Sequence, residues 1–273
     1  MNDRSRSLKL FAITYLGFLY APVLLLPVFA FNDSTIIAFP LKSFTWGWFT
    51  GLAKETSLQG SLQNSLLVAI STAILSTCLG VLASRASARY EFFGKKAMVS
   101  FLMLPLVLPE IIIGVSLLVV LMQLGLPLSL WTVILGHTLL CMPFSIAILS
   151  SAFANMDQSL EEASLDLGET RWGTFRRVIL PLVTPGLLSS FLIAFTLSLD
   201  EFIIAFFLTG TQATLPVYIW GQLRFPAKLP GVMALGFLLL LLSLVLLSLG
   251  EYFRRRMNRL TGGQVQLGGL PEP

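Results

Sequence analysis

The chain has 273 residues and a mass of 30.0 kDa, with 55% hydrophobic residues against 12% charged and a formal net charge of +4. Soluble domains carry about 25% charged residues, so a water-soluble enzyme is excluded. The mean hydropathy of +0.83 also excludes a disordered chain, and two cysteines cannot build a disulfide framework. What remains is a polytopic, all-α membrane protein.

A helix crossing about 30 Å of hydrocarbon needs roughly 20 mainly apolar residues. Six such stretches occur, at approximately 8–31, 62–84, 97–122, 130–154, 185–209 and 230–253. The first follows Arg4, Arg6 and Lys9, which also fits a signal peptide. Its length of about 22 residues exceeds a secretory h-region and it lacks a clear small-residue cleavage site, so it reads as an uncleaved anchor. Basic residues stay cytoplasmic when loops are short. Of the 18, one side receives Arg4, Arg6, Lys9, Arg85, Arg89, Lys95, Lys96, Arg171, Arg176, Arg177, Arg254, Arg255, Arg256 and Arg259, and the other only Lys42, Lys54, Arg224 and Lys228. Both termini are therefore expected in the cytoplasm. The basic residues thus serve as topology signals against membrane lipid, and no nucleic-acid partner is expected. Trp46 and Trp48 in the first outer loop, and Tyr218 with Trp220 in the last, suit an interfacial belt or loop packing.

Cys78 and Cys141 fall inside spans and read as small apolar packing residues. His137, in the fourth span, reads as a hydrogen-bonding partner between helices rather than a proton carrier. No Gly-rich phosphate loop, HExxH, CxxC pair or GxSxG occurs, and a lone histidine cannot build a metal site, so no catalytic or metal residues are expected.

Residues 155–184, between spans four and five, form the most polar stretch of the chain. Leu160, Ala163, Ser164 and Leu167 recur at helical spacing, and after Gly168 a second set follows at Phe175, Val178, Ile179 and Leu182. The pattern predicts two short amphipathic helices with a bend that glycine permits, ended by Pro181 and Pro185. From the residues alone, a helix pair lying on the membrane surface fits equally well.

Glu110, Asp200 and Glu201 lie within expected spans, where an ionised side chain costs several kcal/mol unless it meets water, a partner or a substrate. Glu110 falls at the middle of span three, just after Pro105 and Pro109. Nine residues of helix set Asp200 about 14 Å below the outer end of span five. Carboxylates at one depth on two spans suit a cation, and aromatic neighbours add cation-π attraction. On a continuous helix Asp200 and Glu201 point about 100° apart, so one of them is expected to face the path. The path set is therefore Glu110, Asp200 and Glu201, with Tyr218 and Trp220. The competing reading has these acids bonding neighbouring helices or an arginine of a partner subunit.

The loop also carries a resemblance. Glu162-Ala163-Ser164, three residues, Gly168, nine residues and Val178-Ile179-Leu180-Pro181 resembles the EAA loop of bacterial ABC-importer permeases, E-A-A-x3-G-x9-I-x-L-P. Ser164 replaces the second Ala and Val178 the Ile, both with size or character kept. The wider chain, roughly residues 8–256, resembles the second permease of spermidine/putrescine importers. That likeness runs through Pro109-Glu110 with Gly114 and Ser116-Leu117-Leu118, Gly136-His137 with Pro143-Phe144, Leu197-Ser198-Leu199-Asp200-Glu201-Phe202, and Thr214-Leu215-Pro216-Val217-Tyr218. Permeases for iron(III), opines or phosphonates share parts of these motifs.

The resemblance implies a single permease domain over 1–256, of the type I ABC-importer permease fold, in a bacterial inner membrane. It implies a homologous second permease, two ATP-binding subunits that hold ATP and Mg, and an extracytoplasmic binding protein. Glu162, Ala163, Ser164, Gly168, Val178, Leu180 and Pro181 would couple the chain to the ATPases. A proton-coupled secondary transporter is the alternative from another class, against which the EAA spacing counts. Residues 257–273, rich in Gly, are expected to be a disordered tail.

Overall fold

A computed structural model of the chain describes residues 3–154 and 156–260. Regular structure among them is helical, apart from one antiparallel bridge between Asn32 and Phe44. The chain divides into two compact units. One joins the residues before Thr56 to those after Gly221, and the other is Thr56–Gly221.

In the first unit α1 (Asp3–Ala30) packs against α12 (Leu229–Leu260), which also receives the short α2 (Gly47–Leu52). The rings of Phe44, Trp46 and Phe49 gather on Phe31 at 4.8–4.9 Å, with Phe237 of α12 at 5.5 Å. Trp48 donates its indole N–H to the Asn32 carbonyl. Both tryptophans therefore pack within the loop, while the Trp46 ring is 61% exposed and remains suited to a bilayer interface.

The second unit is built on three mutually packed helices, α3 (Thr56–Arg89), α6 (Leu130–Ala154) and α9 (Leu180–Asp200). Small residues bring them close, as membrane helices require when lipid supplies no hydrophobic drive. A Cβ on Gly80 of α3 would lie 2.9 Å from the Ser145 Cβ of α6. Hydroxyls stitch the same faces: Ser84 Oγ donates to the Ile146 carbonyl, and Thr77 Oγ1 lies 3.2 Å from Ser190 Oγ. Around them lie α4 (Lys95–Met103), α5 (Glu110–Gln123), α7 (Gln158–Asp166), α8 (Arg171–Thr174), α10 (Ile203–Leu208) and α11 (Leu215–Gln222). Val68, Ile113, Val133, Ile134, Ile204 and Leu208 form the core where α3, α5, α6 and α10 meet.

Four helices among the described residues have the length and apolarity to cross a bilayer, or five if one bent pair is a single crossing. The sixth expected stretch falls in α12, 32 residues long. Two expected spans are not straight. Span three is broken into Lys95–Leu106 and Glu110–Gln123, bent by 103°. Pro105 and Pro109 account for it, since each removes a backbone donor and restricts the residue before it. Glu110 therefore opens the second arm and does not sit in the middle of a continuous helix.

Span five begins earlier than expected and ends earlier. Helix runs without interruption from Arg171 to Asp200, so Pro181 and Pro185 do not end it. A π-helical turn at Phe175–Ile179 directly precedes α9 and widens the backbone just where the Pro181 ring would meet the carbonyl four residues back. The helix then stops at Glu201, which is extended (ψ 117°), before α10 resumes. A depth for Asp200 measured along unbroken helix does not apply. Residues 257–260 belong to α12, and the remainder of the expected disordered tail lies outside the described residues.

Candidate functional site

The polar loop folds into a definite shape for local reasons. Asp157 caps α7, its Oδ1 accepting from Ser159 N at 2.9 Å. Its terminus is a Schellman turn in which Glu169 N donates to the Ser164 carbonyl and Gly168 N to the Leu165 carbonyl. Gly168 sits at φ +86°, the left-handed conformation that this turn requires and that a Cβ disfavours. Thr170 then starts α8, its hydroxyl accepting from Gly173 N. Ser164 Oγ, 3.0 Å from Thr174 Oγ1, pins the two halves together.

The hydrogen bonds from Ser159 hold the Asp157 carboxyl below the usual carboxylate range. A depressed folded value means that the cap contributes fully above the ordinary Asp value of about 3.9 and fades as pH falls through the depressed one. Asp157→Ala should therefore speed amide exchange at Ser159–Glu161 at neutral pH. Asp157→Asn, which keeps the acceptor, should change it little; equal acceleration in both variants would refute the cap assignment.

Of the seven coupling residues expected from the sequence, Glu162, Ala163, Gly168 and Pro181 are exposed, and Ser164, Val178 and Leu180 are half-buried. Leu160, Ala163 and Leu167 all point outward, Leu167 with 89% exposure, and Trp172 is 70% exposed. They therefore do not pack on the chain's own spans. The inward residue is Glu161, which the sequence pattern passed over. It lies 3.0 Å from Arg85 Nη2 and 3.6 Å from Arg89 Nε. Glu162 makes a looser pair with Arg89, at 3.7 Å. Arg85 and Arg89 had read only as topology charges. Their spacing of four on one helix face beside paired acids was the available signal.

The expected path acids meet at the two helix breaks. Glu110, the first residue of α5, and Asp200, the last of α9, are both exposed. Glu201 is buried, 8% exposed, and its Oε1 accepts from Ile204 N at 3.0 Å, which caps α10. Trp220 of α11 packs its ring 5.4 Å from Phe202, the residue after Glu201, and so lies beside the break. Tyr218 sits on the same short helix, half-buried.

Beneath the break, His137 Nδ1 lies 2.8 Å from Ser198 Oγ, joining α6 to α9 as a helix-to-helix partner. Cys141 is buried there, its thiol 3.7 Å from the Ala194 carbonyl, while Cys78 is exposed; both are unpaired thiols. No group of three or more His, Cys, Asp or Glu that could hold a metal ion occurs among the described residues.

The chain belongs to the binding-protein-dependent transport system inner membrane component family, whose model matches residues 76–259. It is 33% identical over 251 residues to the spermidine/putrescine transport system permease protein PotC of Shigella flexneri, covering 92% of this chain and 94% of that one. It is also 33% identical over 231 residues to the putrescine transport system permease protein PotI of Escherichia coli K12, covering 82% of each. Its fold resembles a chain of the bacterial alginate ABC transporter crystallised with an alginate pentasaccharide-bound periplasmic protein. The TM-score there is 0.71, at 19% identity over 93% of this chain and 94% of that chain. The protein is thus a multi-pass ABC-importer permease.

Proposed function

We propose that the chain is one of two permease subunits of an ATP-driven polyamine importer, with both termini in the cytoplasm. The observation that carries the coupling role is the loop's polarity of presentation. Glu161 is held inward while Leu160, Ala163, Leu167 and Trp172 face out as an apolar ridge, the kind of surface that seats a short helix in a partner's groove. The partner is a pair of ATP-binding subunits, which supply ATP and Mg2+; this chain performs no hydrolysis of its own. An extracytoplasmic binding protein delivers the substrate, as the family description implies.

Polyamine as substrate class rests on the similarity to two polyamine permeases and on exposed carboxylates at the helix breaks. Separated carboxylates match separated ammonium groups. Among them Asp200 and Glu110 are free to meet a cation in the path, with Trp220 near the break, whereas Glu201 holds α10 in place.

The test is a reconstituted transporter with partner permease, ATPase and binding protein, assayed for ATP-dependent uptake of labelled putrescine and spermidine. Losing one charge-assisted contact is worth about 1.5–3 kcal/mol, so Asp200→Asn should slow saturable uptake by about ten-fold or more. Glu201→Gln keeps an acceptor for Ile204 N and should retain most activity. ATPase activity stimulated by the binding protein without polyamine uptake would keep the importer and discard the substrate class.

A further inference from the structure

Glu161 is the most deeply placed carboxylate of the loop, 7% exposed, and an ion buried this far is unfavourable unless paired. Its two partners end α3, one turn apart on one face. The same two arginines hold both halves of the loop. Arg89 donates to Gln158 Oε1 of α7 at 2.9 Å, and the Arg85 guanidinium lies 5.2 Å from the Phe175 ring centroid, in the half beyond Gly168.

The far end of α3 is fastened as well. Asn64 Nδ2 donates to the Ala213 carbonyl at 3.0 Å, and Ser65 Oγ accepts from Leu215 N at 2.7 Å. These contacts hold the segment between α10 and α11. Residues 64 and 85 are separated by about 32 Å of helix, and α3 is unbroken between them.

We propose that Glu161, through Arg85 and Arg89, is a positioning residue that locks the coupling loop to α3, so that α3 carries the loop's displacement to residues 213–215. The inference rests on the coupling reading above. Physically, α7 is joined to α8 by the turn at 167–170 and by the Ser164–Thr174 hydroxyl pair, so a push on α7 can be absorbed by rotation about that joint. The ion pairs remove that freedom, and a continuous helix moves as a body.

The test uses the complete transporter in lipid, with amide exchange at residues 213–215 measured with and without ATP. The wild type should show an ATP-dependent change there. In Glu161→Gln the change should fall by about ten-fold, within the usual range of coupling between sites, with uptake per ATP falling alongside and the ATPase subunits still bound. Arg85→Gln, at a less buried position, should reproduce the loss and carries the test if Glu161→Gln fails to insert. The double variant should be no worse than either single one, and Glu161→Asp should recover part of the response. An ATP response at 213–215 that is absent from the wild type or persists in Glu161→Gln overturns the proposal, as does release of the ATPase subunits by Glu161→Gln. A wild-type exchange response without polyamine uptake counts against the substrate class alone.

Discussion

Gly168→Leu should abolish ATP-driven uptake while leaving membrane insertion intact, and Gly168→Asn should keep a measurable fraction of it. The residue sits at φ +86°, where a residue with a Cβ pays about 1–2 kcal/mol. Among the described residues nothing lies within 4 Å of the position a Cβ would take, so backbone strain is the penalty at the Cβ. That is too little to unfold a unit held by α3, α6 and α9. It is enough to displace a turn secured by two hydrogen bonds, from Gly168 N and Glu169 N. Once the turn relaxes, Leu167 and Trp172 no longer present one ridge, and the two halves of the loop lose their relative angle. Asn tolerates the left-handed region better than other residues with a side chain, so it separates strain from bulk. Uptake and membrane abundance measured together decide the matter, and normal uptake in the leucine variant would sink the coupling role of this turn.

Much of the architecture is legible in the chain because lipid imposes length and charge placement before packing has any say. The α1, α3 and α6 helices match the apolar stretches expected of them, and α9 covers another as far as Asp200. What the residues could not announce is which prolines break a helix. Pro105 and Pro109 do so, while Pro181 and Pro185 are carried inside a 30-residue helix. A proline can be absorbed where the preceding turn has room to widen and the following turn is anchored. Ile179 and Val183 supply that anchor by burying against Leu149 and Phe153. Such contacts lie far apart in sequence.

The break at Glu201 was hidden for a different reason. Neither proline nor glycine marks it, and two adjacent acids read naturally as one helix surface. A buried carboxylate that bonds the backbone of the next helix is a tertiary arrangement, visible only once Ile204 and Leu208 are seen to enter the core. Glu161 escaped notice likewise, because the matched loop pattern begins one residue later and the partners stand more than 70 positions away.

The close approach of α3 and α6 at Gly80 sets the second large effect. Gly80→Leu should lower the melting temperature of the detergent-solubilised protein, by a destabilisation of about 1–3 kcal/mol typical of an overfilled core. Gly80→Ala should fall between it and the wild type. The new Cβ would stand 2.9 Å from Ser145 Cβ, 3.0 Å from Leu149 Cδ1 and 3.2 Å from the Ser145 carbonyl carbon. Leu149 can turn its side-chain end away, but Ser145 belongs to the backbone of a packed helix and cannot. Removing the obstructing atom should therefore help: Ser145→Gly combined with Gly80→Ala should recover much of the loss. Ser145 Oγ is buried without a hydrogen-bond partner among the described residues, so its removal sacrifices no bond there. Additive losses in the double variant would mean that the two sites do not oppose each other across this contact. The consequence reaches beyond stability, because Ser84 Oγ bonds the Ile146 carbonyl just one turn further along the same face. Spreading α3 from α6 at Gly80 pulls on that bond and, one residue on, on Arg85, so Gly80→Leu should also weaken the grip on Glu161 and lower uptake per ATP hydrolysed.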